Sequence, residues 1–283
     1  MTQTTQTHIQ DIDPTFTFAD GRTVNRLGFG TMRLTGQPGN YGPYEDWNAG
    51  IAVIRAAREA GVQVFDTARA YGPAHAERIL ADAIPASDTD AFIVTKGGVT
   101  KTGVGPGHIR ADARPEQLAR EIDASLRDLK REQIDLYFLH RPDPSVPFAD
   151  QIEALAAARQ AGKIARIGLS NVSLDQLKSA MEIASIDAVQ NRYDPVGGGD
   201  DSVLDFATRQ GMAFLPWGPL GANPMTPGSP LHGPAPVDGP TAIQTALVAL
   251  LARSPGMIPI PGTTRRAHAR DNARALVAVR VGG

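Results

Sequence analysis

Short apolar runs alternate with stretches of helical spacing along this chain. Eight runs read as strands: Leu27–Gly30, Val62–Phe65, Ala91–Thr95, Ile134–Leu139, Ala165–Leu169, Ala188–Gln190, Met212–Pro216 and Met257–Ile260. Each is brief, β-rich and bounded by turn residues, as buried strands are. The segments between them have helical periodicity. Ala52, Ile54, Ala57 and Ala60 mark the first, and Gly61 ends it as a C-cap. A short helix over Glu77–Ile84 is stopped by Pro85. Pro115–Lys130 carries the clearest stripe (Leu118, Ile122, Leu126, Leu129), with Pro115 near its start. Asp150–Ala161 ends at Gly162, and Asp201–Gln210 ends at Gly211. Ser173-Leu174-Asp175-Gln176 has the form of a capping box and opens a helix to about Ala184. Thr241–Ala252 precedes the last strand and Arg265–Val279 follows it.

Eight β-then-α units in one unbroken series predict an α/β fold of the (β/α)₈ TIM-barrel type rather than a doubly wound sheet. No linker interrupts the series, so residues 1–283 read as one domain, with residues 1–14 as a flexible tail. Phe16-Thr17-Phe18, Asp20-Gly21 and Thr23-Val24 predict a β-hairpin that plugs the barrel bottom. Gly97–Asp112 and Gly218–Gly239 are long, rich in Gly and Pro, and follow strand ends. They are expected to build a substrate wall and a cofactor lid.

Composition narrows the chemistry. A net charge of −2 gives no reason to expect nucleic acid or a membrane surface as partner. The chain has no cysteine, which excludes disulfides, thiolate catalysis and Cys-ligated zinc. Met1–Gln10 is polar and has no apolar core of a secretory signal, and no apolar run approaches the ~20 residues of a membrane span. A cytoplasmic location is the resulting expectation.

Three of the apolar runs end in polar side chains. The run over Val62–Phe65 leads to Asp66, with Tyr71 five residues later; Ala91–Thr95 leads to Lys96; Ile134–Leu139 leads to His140. In a parallel barrel these ends share the rim where chemistry is done. Taken singly, Asp66 and His140 read equally well as caps, Tyr71 as a loop aromatic and Lys96 as a solvated lysine. Together they suggest a proton-transfer unit. A phenol has a pKa near ~10, and a cation within ~4–6 Å lowers it. Lys96 is placed to supply that cation, Asp66 to hold Lys96, Tyr71 to protonate a carbonyl oxygen, and His140 to orient that oxygen.

The chain resembles the aldo-keto reductase superfamily. The resemblance rests on Asp66-Thr67-Ala68-Arg69-Ala70-Tyr71-Gly72, Val94-Thr95-Lys96 and Leu136-Tyr137-Phe138-Leu139-His140. It continues through Gly162-Lys163-Ile164-Ala165-Arg166-Ile167-Gly168-Leu169-Ser170-Asn171, Val189-Gln190-Asn191 and Ile260-Pro261-Gly262-Thr263, in family order over nearly the whole chain. Val24–Met32, Gly168–Val172 and Gln190–Tyr193 look most like bacterial members of the pyridoxal reductase type. The resemblance implies NAD(P)H-dependent reduction of a small-molecule carbonyl, with Tyr71 as proton donor, Lys96 and Asp66 tuning it, and His140 orienting the substrate. Pyridoxal is one candidate substrate; no oligomeric state is implied.

The resemblance also implies a cofactor bed. Gly30, Thr31 and Met32 would line the nicotinamide ribose, beside Asp66. Ser170, Asn171 and Gln190 would clamp the carboxamide, and Trp217 would stack on the ring. Gly262, Thr263, Thr264, Arg265, Arg266 and His268 would meet phosphates at a helix N-terminus, and Asp271 and Asn272 the adenine. Gly262 and His268 stand where the family often has a lysine and an arginine. Arg265 and Arg266 are expected to compensate at the 2′-phosphate, favouring NADPH over NADH. The chain ends at Gly283, soon after the eighth helix, where many relatives continue into a tail over the pocket. A more open pocket or a shortened form is therefore expected.

Gly28-Phe29-Gly30 is followed by Arg33 rather than a third glycine, so it is not a Rossmann fingerprint. The remaining histidines lack metal-ligand spacing, and no metal is expected; His108 and His232 sit in the two long loops. Two further readings stay open. Lys96 can be read as a Schiff-base nucleophile, and the whole chain as a non-catalytic nucleotide-sensing module.

Overall fold

Alternation with a period of two along each strand sets the architecture, because it sorts side chains into an inward and an outward set. In the computed structural model, which describes residues 12–221, 229, 231–232 and 239–281, the chain opens with an antiparallel hairpin of β1 (Thr15–Thr17) and β2 (Thr23–Asn25). Then come β3 (Gly28–Gly30), α1 (Trp47–Glu59), β4 (Val64–Asp66), α2 (His75–Ala83) and β5 (Phe92–Gly97). A second hairpin, β6 (Val99–Lys101) and β7 (Ile109–Ala111), leads into α3 (Pro115–Leu129), β8 (Leu136–Leu139), α4 (Phe148–Gln160), β9 (Ile167–Ser170), α5 (Leu174–Ile183) and β10 (Ala188–Gln190). A two-residue pair, β11 (Tyr193–Asp194) and β12 (Gly198–Gly199), precedes α6 (Asp201–Arg209), β13 (Ala213–Phe214), α7 (Ala242–Arg253) and α8 (Arg266–Val281).

Seven parallel strands form one curled sheet in the order β3-β4-β5-β8-β9-β10-β13. The eighth apolar run closes it. Ile258 donates its N–H to Phe214 O (2.8 Å) on one side, and Gly28 donates to Pro259 O (2.8 Å) on the other. Pro259 and Pro261 lack the N–H that a regular ladder needs, so this segment seals the barrel without becoming a long strand. The (β/α)₈ expectation holds.

Val64, Phe92, Val94, Leu136, Phe138, Ala188, Ala213, Leu215, Ile258 and Ile260 form one buried cluster, joined by Phe18 and Val24 of the hairpin. Phe65, Ile93, Tyr137, Leu139, Ile167, Leu169 and Val189 belong to another, packed with the helices. The two sets alternate along each strand, so the first is the barrel interior. Each fully buried Phe or Leu contributes ~1.5–3 kcal/mol relative to exposure. Gly168 makes this packing feasible: a Cβ there would sit 2.3 Å from the Phe138 ring. The hairpin closes the bottom as expected. Phe18 stacks on Phe92 at 5.1 Å, and the Arg166 guanidinium lies 4.8 Å from the Phe18 ring. Gly21 takes φ +88° in the Asp20-Gly21 turn.

The local signals mostly hold. Pro115 occupies the first turn of α3, and the Ser173–Gln176 capping box is formed at α5. The segment Gly97–Asp112 differs from expectation, folding into β6–β7 instead of a bare loop. Lys101 of this hairpin donates to Gly39 O (2.6 Å) and Asn40 O (2.9 Å), tying it to the loop after β3. At the N-terminus, Ile12 is buried and Arg26 binds Asp13 O (2.8 Å), so residues 12–14 are packed into the body. The rest of the expected tail, residues 1–11, lies outside the described residues. Among the described residues, no helix is long and apolar enough to cross a membrane.

Candidate active site

The inward stripe of each strand runs out into a chemical side chain at its C-terminal end. Val64 is followed two residues on by Asp66, Val94 by Lys96, Phe138 by His140, Gly168 by Ser170 and Ala188 by Gln190. Parallel pairing brings these ends together: Gly30 lies opposite Asp66, Lys96 opposite Phe138, and Ser170 opposite Gln190. The sequence pattern therefore delivers these side chains to one rim.

Lys96 is 0% exposed. Its ammonium donates to Asp66 Oδ1 (2.6 Å) and to Thr67 O (2.7 Å). Asp66 Oδ2 accepts from Gln190 Nε2 (2.8 Å). A buried charge survives only when paired and hydrogen-bonded, and this one is both. The Lys96 ammonium lies 5.1 Å from the Tyr71 ring centroid. Burial alone would depress its pKa, but Asp66 and Tyr71 together raise it. An ammonium held charged in this way is a poor Schiff-base nucleophile.

Tyr71 sits in the loop between β4 and α2, and that loop is fixed to β5. Arg69 donates its backbone N–H to Lys96 O (3.0 Å). The Arg69 guanidinium binds Glu77 Oε2 (2.7 Å) and also Asp128. The Glu77 side chain is 0% exposed and takes the Thr95 hydroxyl on its other oxygen (2.8 Å). Thr95 and Lys96 are neighbours facing opposite ways, so one strand anchors both the loop and the ammonium.

The Tyr71 phenol departs from expectation. Burial raises its pKa, and the approach of Lys96 only partly offsets this. Tyr71 is therefore a neutral phenol at neutral pH, holding the proton a donor needs. The His140 ring packs edge-on against Tyr71, with centroids 5.8 Å apart. Its backbone N–H donates to Gly97 O (2.8 Å), and its carbonyl accepts from Asn171 Nδ2 (3.0 Å). Burial, then the charges of Lys96 and Arg141, push the imidazole down to about 3. His140 is neutral across ordinary pH, and its Nδ1 is buried without a partner among the described residues.

A cavity of about 1140 Å³ opens over this group. Asp66, Tyr71 and His140 line it; Lys96 lies behind them. Of the residues expected to hold a cofactor, Gly30, Met32, Asp66, Ser170, Asn171, Gln190, Trp217, Gly262, Thr263, Thr264, Arg265, His268, Asp271 and Asn272 are on its wall. Two are not. Thr31 is 0% exposed, with its hydroxyl on Asp66 O (3.1 Å). Arg266 is exposed away from the cavity. The sequence reading missed Arg33, Arg141, Leu220, Leu231 and Ile243, which also line it. Arg141 had a signal, its place directly after His140. Of the second long loop, Gly218–Gly221 and Leu231 reach the wall; residues 222–228, 230 and 233–238 lie outside the described residues. No residue of 97–112 reaches it, because β6–β7 packs toward Gly39 instead, and His108 and His232 are also off the wall.

The wall suits an elongated dinucleotide. At one end polar amides surround an aromatic: Trp217 Nε1 donates to Asn171 Oδ1 (3.1 Å), and Asn171 Nδ2 donates to Ser170 Oγ (3.0 Å). At the other, Thr263–Arg265 lead into the N-terminus of α8, where unpaired N–H groups favour phosphate. Between them two strands meet closely. A Cβ on Gly262 would lie 2.7 Å from Gly30 O, so a larger side chain is excluded there. Among the described residues no group of metal-ligating side chains occurs.

Residues 26–239 match the Aldo/keto reductase family. Pyridoxine 4-dehydrogenase of Escherichia coli is 38% identical over 267 residues, covering 92% of both chains. An uncharacterised oxidoreductase of Schizosaccharomyces pombe is 38% identical over 253 residues, covering 89% of this chain and 81% of its own. Among solved structures, a glycerol dehydrogenase from Gluconobacter oxydans superposes with a TM-score of 0.80 at 23% identity, covering 95% of this chain and 94% of its own. An aldo/keto reductase from Klebsiella pneumoniae, in complex with NADP and acetate, gives 0.76 at 25% identity, covering 94% of this chain and 90% of its own.

Proposed function

The chain belongs to the aldo/keto reductase family, and from that premise we propose that it reduces an aldehyde or ketone to the alcohol with NADPH, Tyr71 giving the proton. The observation that carries this reading is the buried Asp66–Lys96 pair set beneath a neutral Tyr71 phenol at the wall of a dinucleotide-sized cavity.

NADPH, when bound, supplies a hydride to the carbonyl carbon. Everything else falls to the chain. Ser170, Asn171 and Gln190 would hold the nicotinamide carboxamide, Trp217 its face, and Thr263–Arg265 a phosphate. The Klebsiella relative, crystallised with NADP, supports that cofactor. The carbonyl oxygen sits between Tyr71 and the neutral His140 ring, which fixes its direction. As the C=O π electrons collapse onto oxygen, the Tyr71 O–H bond breaks and its proton completes the alcohol. Lys96 stabilises the phenolate left behind until solvent returns a proton. The balance is carbonyl plus NADPH plus H⁺ to alcohol plus NADP⁺.

The Escherichia coli relative puts pyridoxal in the substrate panel. Protein mixed with NADPH and pyridoxal or nitrobenzaldehyde is expected to consume reduced cofactor, followed by its absorbance, with NADPH preferred over NADH. A folded protein that binds NADPH but turns over no carbonyl contradicts this reading and leaves the nucleotide-sensing one.

A further inference from the structure

The backbone around Tyr71 is held from two sides. On one, Arg69 donates its N–H to Lys96 O (3.0 Å). On the other, Gly72, the residue after Tyr71, is bound to the loop that follows β3. Gly72 donates its N–H to Asn40 O (3.3 Å), and its carbonyl accepts from the Gly42 N–H (2.8 Å). Tyr41 pairs with Gly72 as an isolated parallel bridge. Gly72 takes φ +93°, and a Cβ there would lie 2.7 Å from His75 Cβ. The chain beside the phenol therefore has little room to move.

The loop that follows β3 carries neither helix nor strand over residues 31–46, so its position depends on what grips it. Its tip is Gly39-Asn40, with Asn40 in the left-handed region at φ +50° and its Oδ1 accepting from Gln37 Nε2 (2.7 Å). Lys101 of β6 holds that tip. Its ammonium donates to Gly39 O (2.6 Å) and Asn40 O (2.9 Å). Asn40 O thus accepts from both Lys101 and Gly72, and two hydrogen bonds link the hairpin to the residue after Tyr71. Val104, in the turn between β6 and β7, closes on the same tip: a Cβ on Gly39 would lie 2.6 Å from Val104 Cγ2.

Lys101 is half-buried. Burial lowers its pKa, and no carboxylate among the described residues offsets this. A partly buried cation without a counter-ion needs other partners, and here they are two backbone carbonyls. An ordinary surface lysine is solvated or paired with an acid; this one fixes main chain.

From this we infer that Lys101 is a positioning residue for the proton transfer: acting through Gly39, Asn40 and Gly72, it keeps Tyr71 directed at the substrate carbonyl. The β6–β7 hairpin, which does not reach the cavity wall, is the buttress that carries it. The inference rests on the reading of Tyr71 as proton donor and adds what holds that donor in place. A displacement of ~1 Å far from the chemistry can cost about a hundredfold in rate.

Lys101→Met keeps most of the aliphatic stem and removes the ammonium. It is assayed with nitrobenzaldehyde and NADPH in H₂O and in D₂O, beside the wild type, Lys101→Arg and Tyr71→Phe. In Lys101→Met, kcat is expected to fall by about tenfold or more, with NADPH affinity, followed by fluorescence, within about twofold of wild type. The solvent isotope effect on kcat should exceed the wild-type value, because a misdirected donor makes proton transfer slower than the other steps. Lys101→Arg, which keeps a cationic donor, should retain at least about a third of wild-type kcat. Lys101→Met with more than about half of wild-type kcat overturns the inference. So does a lower kcat with an unchanged isotope effect, since Lys101 then serves only the fold. NADPH affinity that falls in step with kcat overturns it too, because the loop then serves the cofactor, and so does Lys101→Arg as slow as Lys101→Met. In all these cases the reductase reading stands. No turnover by the wild type, or wild-type turnover by Tyr71→Phe, overturns the reading of Tyr71 and this inference with it.

Discussion

Phenylalanine at position 71 is expected to lower kcat for carbonyl reduction by about a hundred- to ten-thousandfold, the usual contribution of a positioned general acid, with NADPH affinity changed less than about twofold. The substitution removes only the hydroxyl. The ring still packs against His140 at 5.8 Å and over Lys96 at 5.1 Å, and the loop remains anchored through Arg69 and Glu77. The neutral His140 ring cannot replace the donor, because its pKa near 3 means it carries no extra proton to give at neutral pH. The pH dependence gives an independent check. The Tyr71 pKa is raised by burial, so its donating form is fully present at neutral pH and is lost only as pH rises through that elevated value. Wild-type kcat should therefore be flat around neutrality and fall on an alkaline limb. The limb should be missing from the residual activity of Tyr71→Phe. Steady-state kinetics over a pH series, with cofactor binding followed by fluorescence, measures both. A variant that keeps more than a tenth of wild-type kcat would mean that another group delivers the proton.

Methionine at position 96 should damage both stability and rate. Lys96 and Asp66 are 0% and 2% exposed. Removing the ammonium leaves the Asp66 carboxylate buried with Gln190 Nε2 as its side-chain donor. An uncompensated buried charge of this kind typically costs ~3–5 kcal/mol, which a urea unfolding midpoint would report. The same change strips Tyr71 of the cation that lowers its pKa, making it a still weaker acid, so kcat should fall by at least about a hundredfold. The double variant Lys96→Met/Asp66→Asn distinguishes the two effects. It removes both charges together and should regain much of the stability, as a neutral pair replaces a broken ion pair. Activity should not return with it. Recovery of turnover in the double variant would show that Lys96 matters only for folding.

The barrel and its rim were readable because the same few residues carry both signals. Val62–Asp66, Ala91–Lys96 and Ile134–His140 mark strands by their apolar character and mark the site by the polar residue at the end. Burial in the structure adds why those residues point inward: each lies two positions beyond a core side chain. What was not readable depended on three-dimensional packing. Gly97–Asp112 has the Gly and Pro content of a loop, yet Val99–Lys101 and Ile109–Ala111 pair, a register that no local signal announces. Thr31 sits between two wall residues but is fully buried, its hydroxyl bound to Asp66 O. Arg265 precedes α8 and Arg266 opens it, and only Arg265 lies on the cavity wall. The direction of the Tyr71 pKa turned on a contest of magnitudes. Sequence shows that a cation is near, but not that desolvation outweighs it. Gly262, a departure from the family pattern, has a local cause in the 2.7 Å approach of Gly30 O.

The most direct measurement is mass spectrometry of the alcohol formed from nitrobenzaldehyde with NADPH deuterated at the C4 methylene of its dihydronicotinamide, in wild type and Tyr71→Phe side by side. The expected result is wild-type alcohol carrying one deuterium on the carbinol carbon, and less than about a hundredth as much from Tyr71→Phe in the same time. Alcohol without deuterium, or labelled alcohol formed by Tyr71→Phe at near the wild-type rate, would contradict hydride transfer from NADPH coupled to a proton from Tyr71.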